Sequence, residues 1–170
     1  MSNLNFWVRA SRPVLVVLVL SMMVSCGFVR GSSRGGGSGT LTVNGAPASV
    51  GGTFVADGDE TEHRRKGANA TVQWAEARDA NDPHSETVEV EFDRTTNQIV
   101  QLTMGSSDGF VFAVWSCGGP AYGKFIACSG ATLDRTGGIL RLANTALSVG
   151  AGTGSTSQIT LNGTLTFKPF

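Results

Sequence analysis

The stretch Glu86–Met104, ETVEVEFDRTTNQIVQLTM, determines the fold class that this sequence predicts. Its first part alternates apolar residues with acids: Val88, Glu89, Val90, Glu91, Phe92 and Asp93. Such alternation places the apolar side chains on one face of a β-strand and the acids in water. Residues 98–104 repeat the pattern, and the turn-forming types Asp, Thr and Asn fill 93–97. The stretch therefore predicts an antiparallel hairpin with one face on a core.

Short runs rich in Thr, Val, Ile and Phe continue this pattern on both sides of the hairpin, separated by turn residues. The predicted strands are 40–44, 51–56, 70–78, 86–93, 98–104, 109–117, 123–128, 131–134, 138–143 and 157–167. Residues 68–80 are Ala-rich and also compatible with a short helix, but the β-branched Thr71 and Val72 favour a strand. We expect an all-β fold, either an antiparallel β-sandwich or a flattened β-barrel.

Segment 109–117 differs from the other predicted strands because both of its faces are apolar. Phe110, Phe112 and Val114 share one face, and Trp115 and Cys117 lie on the other. This pattern predicts a central strand that is covered on both sides. Trp115 is accordingly expected in the core, and Trp74 in the strand at 70–78 is expected there as well.

Two pairs of segments resemble each other within the chain. GTLTV at 39–43 matches GTLTF at 163–167, which predicts similar edge strands near the two chain ends. The strand–turn–strand pattern around Asp93-Arg94-Thr95 recurs around Asp134-Arg135-Thr136. A duplicated hairpin and two turns with the same local chemistry both explain the second match.

The N-terminus carries the pattern of an export signal. Arg9 and Arg12 precede a nearly continuous apolar run at 13–24, and Ser25 stands before Cys26. A basic start, a short apolar stretch and a small residue before the cut are typical of a secretory signal peptide. The run of about 12 residues would form a helix of about 18 Å, whereas a bilayer core needs about 20 residues.

The segment Met23-Val24-Ser25-Cys26 resembles the lipobox of bacterial lipoproteins, although Met23 stands where Leu is usual. The resemblance implies that residues 1–25 are removed and that Cys26 is lipidated, which anchors the protein to a membrane of the bacterial cell envelope. Gly27 in place of Asp after the cysteine implies the outer membrane, by similarity to enterobacterial lipoproteins. An ordinary secretory signal with an incidental cysteine is the alternative.

Composition indicates one domain behind this anchor. Residues 26–39 are rich in Gly and Ser and predict a flexible tether, and residues 40–170 are long enough to bury one core. Without Arg9 and Arg12 the chain keeps 11 basic residues against 13 acids, which argues against a nucleic-acid partner. The charge is uneven, because residues 57–93 hold 11 of the acids and 4 basic residues.

Two cysteines follow Cys26 in the sequence, namely Cys117 and Cys128. An even pair in an exported domain predicts a disulfide bond. The bridge would close a loop of about 12 residues and contribute about 3 kcal/mol on the loop-entropy model.

The sequence contains few candidate catalytic residues. His63 and His84 lie in polar segments on either side of the strand predicted at 70–78, too far apart to share a site. Known nucleophile, phosphate-binding and zinc motifs are absent from the sequence. The alternating Glu89 and Glu91 are better explained as solvent-side positions than as a carboxylate pair. We therefore expect no enzymatic activity and no cofactor.

An acidic segment is the one weak candidate for a metal site. Asp57, Asp59, Glu60 and Glu62 offer carboxylates within a short loop, and calcium takes six to eight oxygen ligands. The pattern departs from an EF-hand loop, and Arg64 and its basic neighbours follow immediately. A solvated acidic loop is the better interpretation, so no metal is expected.

These patterns together favour a non-enzymatic binding or structural module that holds a protein or glycan through its loops. The first alternative is an enzyme inhibitor, similar in plan to small β-barrel lysozyme-inhibitor lipoproteins, whose acidic patch meets a basic enzyme. The second alternative is a calcium-dependent binding module.

Overall fold

The computed structural model describes residues 33–45, 52–77, 84–107, 112–119, 126–150 and 158–170. These residues form strands and turns and contain no helix. The eleven strands are Ser33–Arg34 (β1), Ser38–Asn44 (β2), Thr53–Val55 (β3), Glu62–Lys66 (β4), Asn69–Ala75 (β5), Ser85–Asp93 (β6), Ile99–Ser107 (β7), Phe112–Gly118 (β8), Ala131–Asp134 (β9), Ile139–Val149 (β10) and Ile159–Thr166 (β11).

All eleven strands belong to one antiparallel sheet that curls around a single core. The order along the sheet is β1-β4-β5-β6-β7-β8-β10-β11-β2-β3, and β9 pairs with β10 beside this path. The sheet has two halves, one formed by β1 and β4 to β8 and the other by β2, β3, β9 and β11. Strand β10 joins them, because its first part pairs with β9 and β11 and its last residues pair with β8. The prediction of an all-β, antiparallel fold is confirmed.

The two halves face each other across buried side chains. Strand β5 of one half reaches β11 of the other, since the Trp74 indole Nε1 donates to the Thr166 carbonyl oxygen over 2.7 Å. An isolated bridge between Ala56 and Glu76 brings the end of β3 against the end of β5. The largest fully buried side chains are Trp74, Trp115, Phe54, Phe92, Leu41, Leu102, Met104, Leu140, Leu147, Ile159, Leu161 and Leu165.

The hairpin predicted from residues 86–104 is formed by β6 and β7. Val90 pairs with Leu102, and one register shift follows Glu91, where Phe92 pairs with Ile99. The Asp93 carboxylate closes the turn by accepting hydrogen bonds from the backbone amides of Thr95 and Thr96. Residues 69–75 form β5, which confirms the strand interpretation of the Ala-rich segment.

The predicted disulfide bond joins Cys117 to Cys128, with the two Cα atoms 5.0 Å apart. Cys117 is buried near the end of β8. The prediction of a strand at 123–128 is wrong for residues 126–128, which follow no regular structure, and residues 123–125 lie outside the described part. The bridge therefore ties a sheet strand to an irregular segment.

Two expectations about the faces and edges of the sheet are wrong. Strand β8 is not covered on both sides, because Phe112 is 63% exposed, while Trp115 on the other face is fully buried. Strands β2 and β11 are not edges, because they pair with each other inside the sheet. The two segments with the shared sequence are therefore adjacent, paired strands and not two separate edge strands.

Three further strand boundaries differ from the predicted ones. Strand β4 is formed by the charged segment Glu62–Lys66, which was not predicted because it lacks the apolar alternation typical of a strand. Strand β10 continues to Val149 through a register shift between Leu142 and Thr145, where Asn144 has a φ of 50°. Strand β1 and the start of β2 lie within residues 33–39, a part of the predicted tether.

Candidate functional site

The outer face of strands β5 to β8 carries a continuous row of polar side chains, here called the polar face. The register places Gln73 beside Glu89, Glu89 beside Thr103, and Thr103 beside Ser116. Neighbouring strands lie about 4.8 Å apart, so the row extends about 14 Å across the sheet. All four residues are half-buried, and they present an amide, a carboxylate and two hydroxyls in one line.

An aromatic ring lies at one end of the polar face. Phe112 begins β8 and pairs with Ser107, and its ring leans along the strand over Gly105. A Cβ on Gly105 would lie 3.8 Å from a ring carbon of Phe112 and 3.1 Å from the Thr87 hydroxyl oxygen. The Phe112 ring therefore lies over the position of Gly105 on the outer face of the sheet. The ring remains 63% exposed, the largest exposed fraction among the large apolar residues of the described chain.

Glu89 is the charged residue at the centre of the row. Burial raises the pKa of this carboxyl, Arg64 opposes the shift, and Glu91 adds to it. Glu91, two residues further along the same face, accepts a hydrogen bond from the Asn69 amide. The polar face therefore combines a partly desolvated carboxylate with neutral hydrogen-bonding groups and an exposed aromatic ring.

The carboxylates of the acidic segment do not converge on one point. The Asp57 carboxylate accepts a hydrogen bond from the Asp59 amide, and Asp59 and Glu60 extend into solvent. Glu62 lies in β4 and forms an ion pair with Arg64. The described residues hold no group of three or more His, Cys, Asp or Glu that could bind a metal ion. The calcium-dependent alternative thus finds no assembled site in the described ranges.

His63 is placed differently from its predicted loop position. It lies within β4, opposite Val72, with only 2% of its surface exposed. Its ring packs against Phe167 and Phe170, with centroids 6.1 Å and 4.9 Å away. Neither ring nitrogen has a hydrogen-bond partner among the described residues. Burial lowers the pKa of His63, Lys168 reinforces this effect, and the backbone of Gly35 opposes it.

The two histidines do not form a site together. His84 is exposed in the segment before β6, whereas His63 faces the core beneath β4. The polar face lies on the other side of the sheet from His63, because Glu62 and Arg64, its neighbours in β4, point outward. The hydroxyls of the polar face therefore have no access to the His63 imidazole.

Sequence reasoning missed Phe112 as a surface residue, because its own strand is apolar on both faces. The sequence of the neighbouring strand does indicate this exposure. The pairing of β7 with β8 places Phe112 opposite the polar Ser107 and near the small Gly105. His63 was missed because its charged neighbours dominate the segment. Glu60 and Glu62 precede His63, and Arg64, Arg65 and Lys66 follow it, so the segment shows no apolar alternation that would assign His63 to a buried face.

Cys26, the predicted anchor, and residues 1–25, the predicted signal peptide, lie outside the described residues. In the part of the chain that is described, no helix has the length and apolar character needed to cross a bilayer. No family model, curated protein or solved structure matches the chain.

Proposed function

We propose that this chain is a lipid-anchored, non-enzymatic binding module of the bacterial envelope, attached through Cys26 to the outer membrane. The basic start, the short apolar run and the lipobox-like Met23-Val24-Ser25-Cys26 support the anchor. A disulfide-bonded β-domain is consistent with an oxidising compartment outside the cytoplasm.

The ligand that the geometry favours is a glycan held on the polar face. The single observation that carries this choice is the exposed Phe112 ring, which lies over Gly105, two residues along β7 from Thr103 of the polar row. A sugar ring offers an apolar C–H face and a rim of hydroxyls, which matches an aromatic platform beside hydrogen-bonding side chains. Gln73, Glu89 and Thr103 would accept and donate those hydrogen bonds.

The glycan assignment is tested with the exported protein on a glycan array. Phe112→Ala is expected to lower binding of the best ligand at least tenfold, since the stacking surface is lost. Val55→Ala is the matched control, because Val55 is 44% exposed on the other half of the sheet. Equal melting temperatures for both variants exclude a folding defect. Binding by the Phe112→Ala protein at the wild-type level would contradict the assignment.

The anchor is tested separately, by mass spectrometry of the protein extracted from membranes. The wild-type chain is expected to begin at Cys26 and to carry acyl chains on that residue. The Cys26→Ala variant is expected to retain the uncut signal. A wild-type chain that is cut but carries no lipid would show an ordinary secreted protein instead.

A second candidate function is inhibition of a basic enzyme, and one observation favours it. Asp57, Asp59, Glu60 and Glu76 gather where β3 meets β5, since Ala56 bridges Glu76 and the Asp57 amide donates to the Ala75 carbonyl. A concentrated acidic surface steers a basic partner toward itself. Pull-down and activity assays with lysozyme test this role, and unchanged lysozyme activity at excess protein would exclude inhibition of that enzyme.

A further inference from the structure

Strand β1 fixes the end of the domain at which the chain enters the sheet. Ser33 pairs with His63 and Arg34 pairs with Glu62, in antiparallel register. The N-terminal end of β1 therefore faces the side on which β4 ends, at Lys66 and the turn at Gly67. Six residues separate Cys26 from Ser33. The connection spans at most about 24 Å, at about 3.4 Å for each step.

The same end of the domain carries a group of basic side chains, here called the basic end: Arg65, Lys66, Arg94 and Arg135. Contacts between the turns hold these residues together. The Arg94 guanidinium donates to the Gly67 carbonyl over 3.3 Å, and the Arg135 guanidinium donates to the Arg94 carbonyl. The Arg65 guanidinium lies 5.4 Å from the centre of the Phe170 ring.

The acids at the basic end are already engaged with the backbone. Asp93 accepts hydrogen bonds from two amides of its own turn, and Asp134 accepts one from Gly137. Arg65, Lys66 and Arg94 are exposed, and Arg135 is half-buried. Four basic side chains against the two acids leave a net positive charge at the basic end.

The opposite end of the same strands is acidic. Strand β5 runs from Asn69 beside the basic end to Ala75, and Glu76 follows it in contact with the segment that leads to Asp57. The two ends are separated by the length of β5, about 24 Å at 3.4 Å for each residue. Asp57, Asp59, Glu60 and Glu76 thus lie at the end of β5 away from the basic end, whereas Asp93 and Asp134 lie in the turns of the basic end itself.

From this arrangement we propose that the basic end is a docking surface for anionic phospholipid headgroups. This inference rests on the proposed anchor at Cys26, which places Ser33, at the start of β1, within about 24 Å of the membrane. Basic residues near an anionic bilayer are attracted to it, and acids are repelled. The domain consequently stands with the basic end on the membrane and with the acidic end and Phe112, at the far end of β8, directed away from it.

The test uses the full chain, expressed and processed in a bacterium, purified in detergent and reconstituted into two kinds of vesicle. One contains phosphatidylcholine alone, and the other contains phosphatidylcholine with 30% phosphatidylglycerol as a chosen fraction of about one lipid in three. Hydrogen exchange measured by mass spectrometry follows the turns 66–69, 93–98 and 134–138. The segment 57–61 at the acidic end serves as the internal reference.

We expect slower amide exchange in the three turns on anionic vesicles than on neutral ones, with segment 57–61 unchanged. Each basic residue near an anionic surface favours the docked state about fivefold, so two charge reversals should abolish the difference. The double variant Arg65→Glu/Lys66→Glu tests this with two exposed residues of the basic end. Arg141→Glu is the matched control, because Arg141 is exposed on β10 between Thr132 and Thr164.

High salt supplies a second test of the same contact. The Debye length falls from about 10 Å at 0.1 M to about 3 Å at 1 M, so the protection should disappear in 1 M salt. Mass spectrometry first confirms that Cys26 is acylated. Equal amide exchange of the three turns on both kinds of vesicle would then contradict the proposed docking but not the proposed anchor. A chain without the acyl group would overturn the anchored function first, and the orientation that depends on it.

Discussion

Gly39 and Gly163 occupy reciprocal positions in the paired strands β2 and β11. Gly39 pairs with Leu165, and Gly163 pairs with Leu41. Both glycines have positive φ values, 131° and 138°, which L side chains rarely adopt. A Cβ on Gly39 would lie 2.2 Å from the Thr164 carbonyl oxygen, and a Cβ on Gly163 would lie 2.3 Å from that of Thr40. The two copies of the GTLT sequence, at 39–42 and 163–166, are thus paired antiparallel and related by a local twofold axis.

Alanine at either glycine is expected to destabilise the fold by a similar amount. Gly39→Ala and Gly163→Ala each combine an unfavourable φ with a collision against backbone, so we expect each to lower the free energy of unfolding by about 2–4 kcal/mol. Urea denaturation followed by tryptophan fluorescence measures the change. The equality of the two effects is the specific consequence of the reciprocal geometry.

Gly52→Ala is the matched control for these two substitutions. Gly52 is exposed, has no positive φ, and would place its Cβ in open space with no heavy atom within 4 Å. Its substitution is expected to change the stability by less than about 0.5 kcal/mol. If Gly39→Ala were as mild as this control, the close approach of β2 and β11 would not exist in solution.

Trp74 supplies a polar link between the two halves of the curled sheet, in addition to its buried surface. Its indole Nε1 donates to the Thr166 carbonyl over 2.7 Å, and the Trp74 side chain is fully buried. Trp74→Phe removes the donor, leaves the carbonyl unsatisfied, and opens a small cavity. We expect a loss of about 2–4 kcal/mol in the free energy of unfolding.

Met104→Leu is the comparison for Trp74→Phe, because Met104 is fully buried on the neighbouring part of the core. This nearly volume-conserving change is expected to cost less than about 1.5 kcal/mol. Thermal unfolding of the two variants at one pH gives the difference. Similar melting temperatures for both would show that the indole hydrogen bond contributes nothing measurable.

The fold class was predictable from sequence because its decisive signal is local. The alternation in Glu86–Met104 requires one face on a core, and β6 and β7 pair in the expected hairpin. Cys117 and Cys128 were predictable as a pair because no other cysteine follows Cys26. In each case the information lies within one short stretch or one small set of residues.

The parts that sequence could not supply depend on contacts between distant segments. Strand β4 exists because β1 and β5 pair with it on both sides, while its own residues are mostly charged. Phe112 is exposed because nothing in the described chain covers the outer face of β8, a fact that its own apolar strand does not encode. The pairing of β2 with β11 joins residues more than a hundred positions apart.

Loss of the disulfide bond is expected to destabilise the domain without changing its fold. The Cys117–Cys128 bridge has a sequence separation of 11, and a loop of this size is worth about 3 kcal/mol in the chain-entropy model. Denaturation with and without reductant measures this contribution. The Cys117→Ser/Cys128→Ser variant, which should be insensitive to reductant, is the control. A midpoint that does not move on reduction would contradict the expected contribution.

His63 should make the stability of the domain depend on pH in a defined direction. Burial holds the pKa of His63 below its usual value in the folded protein. Below about pH 6.5 the unfolded chain takes up a proton that the folded chain resists, so acid favours unfolding. The contribution is fully present above about pH 6.5 and is lost as the pH falls toward the lower folded-state pKa.

His63→Leu is expected to remove this dependence, since leucine can contact Phe167 and Phe170 without a titratable ring. The free energy of unfolding is measured between pH 5 and pH 7.5, a range of about one unit or more on each side of 6.5. Glu89 acts in the opposite sense, because burial raises its pKa, so the difference between variants isolates the histidine. His84→Leu, which removes an exposed histidine, should retain the wild-type slope. A His63→Leu protein with that same slope would show that the buried imidazole is not the group that titrates.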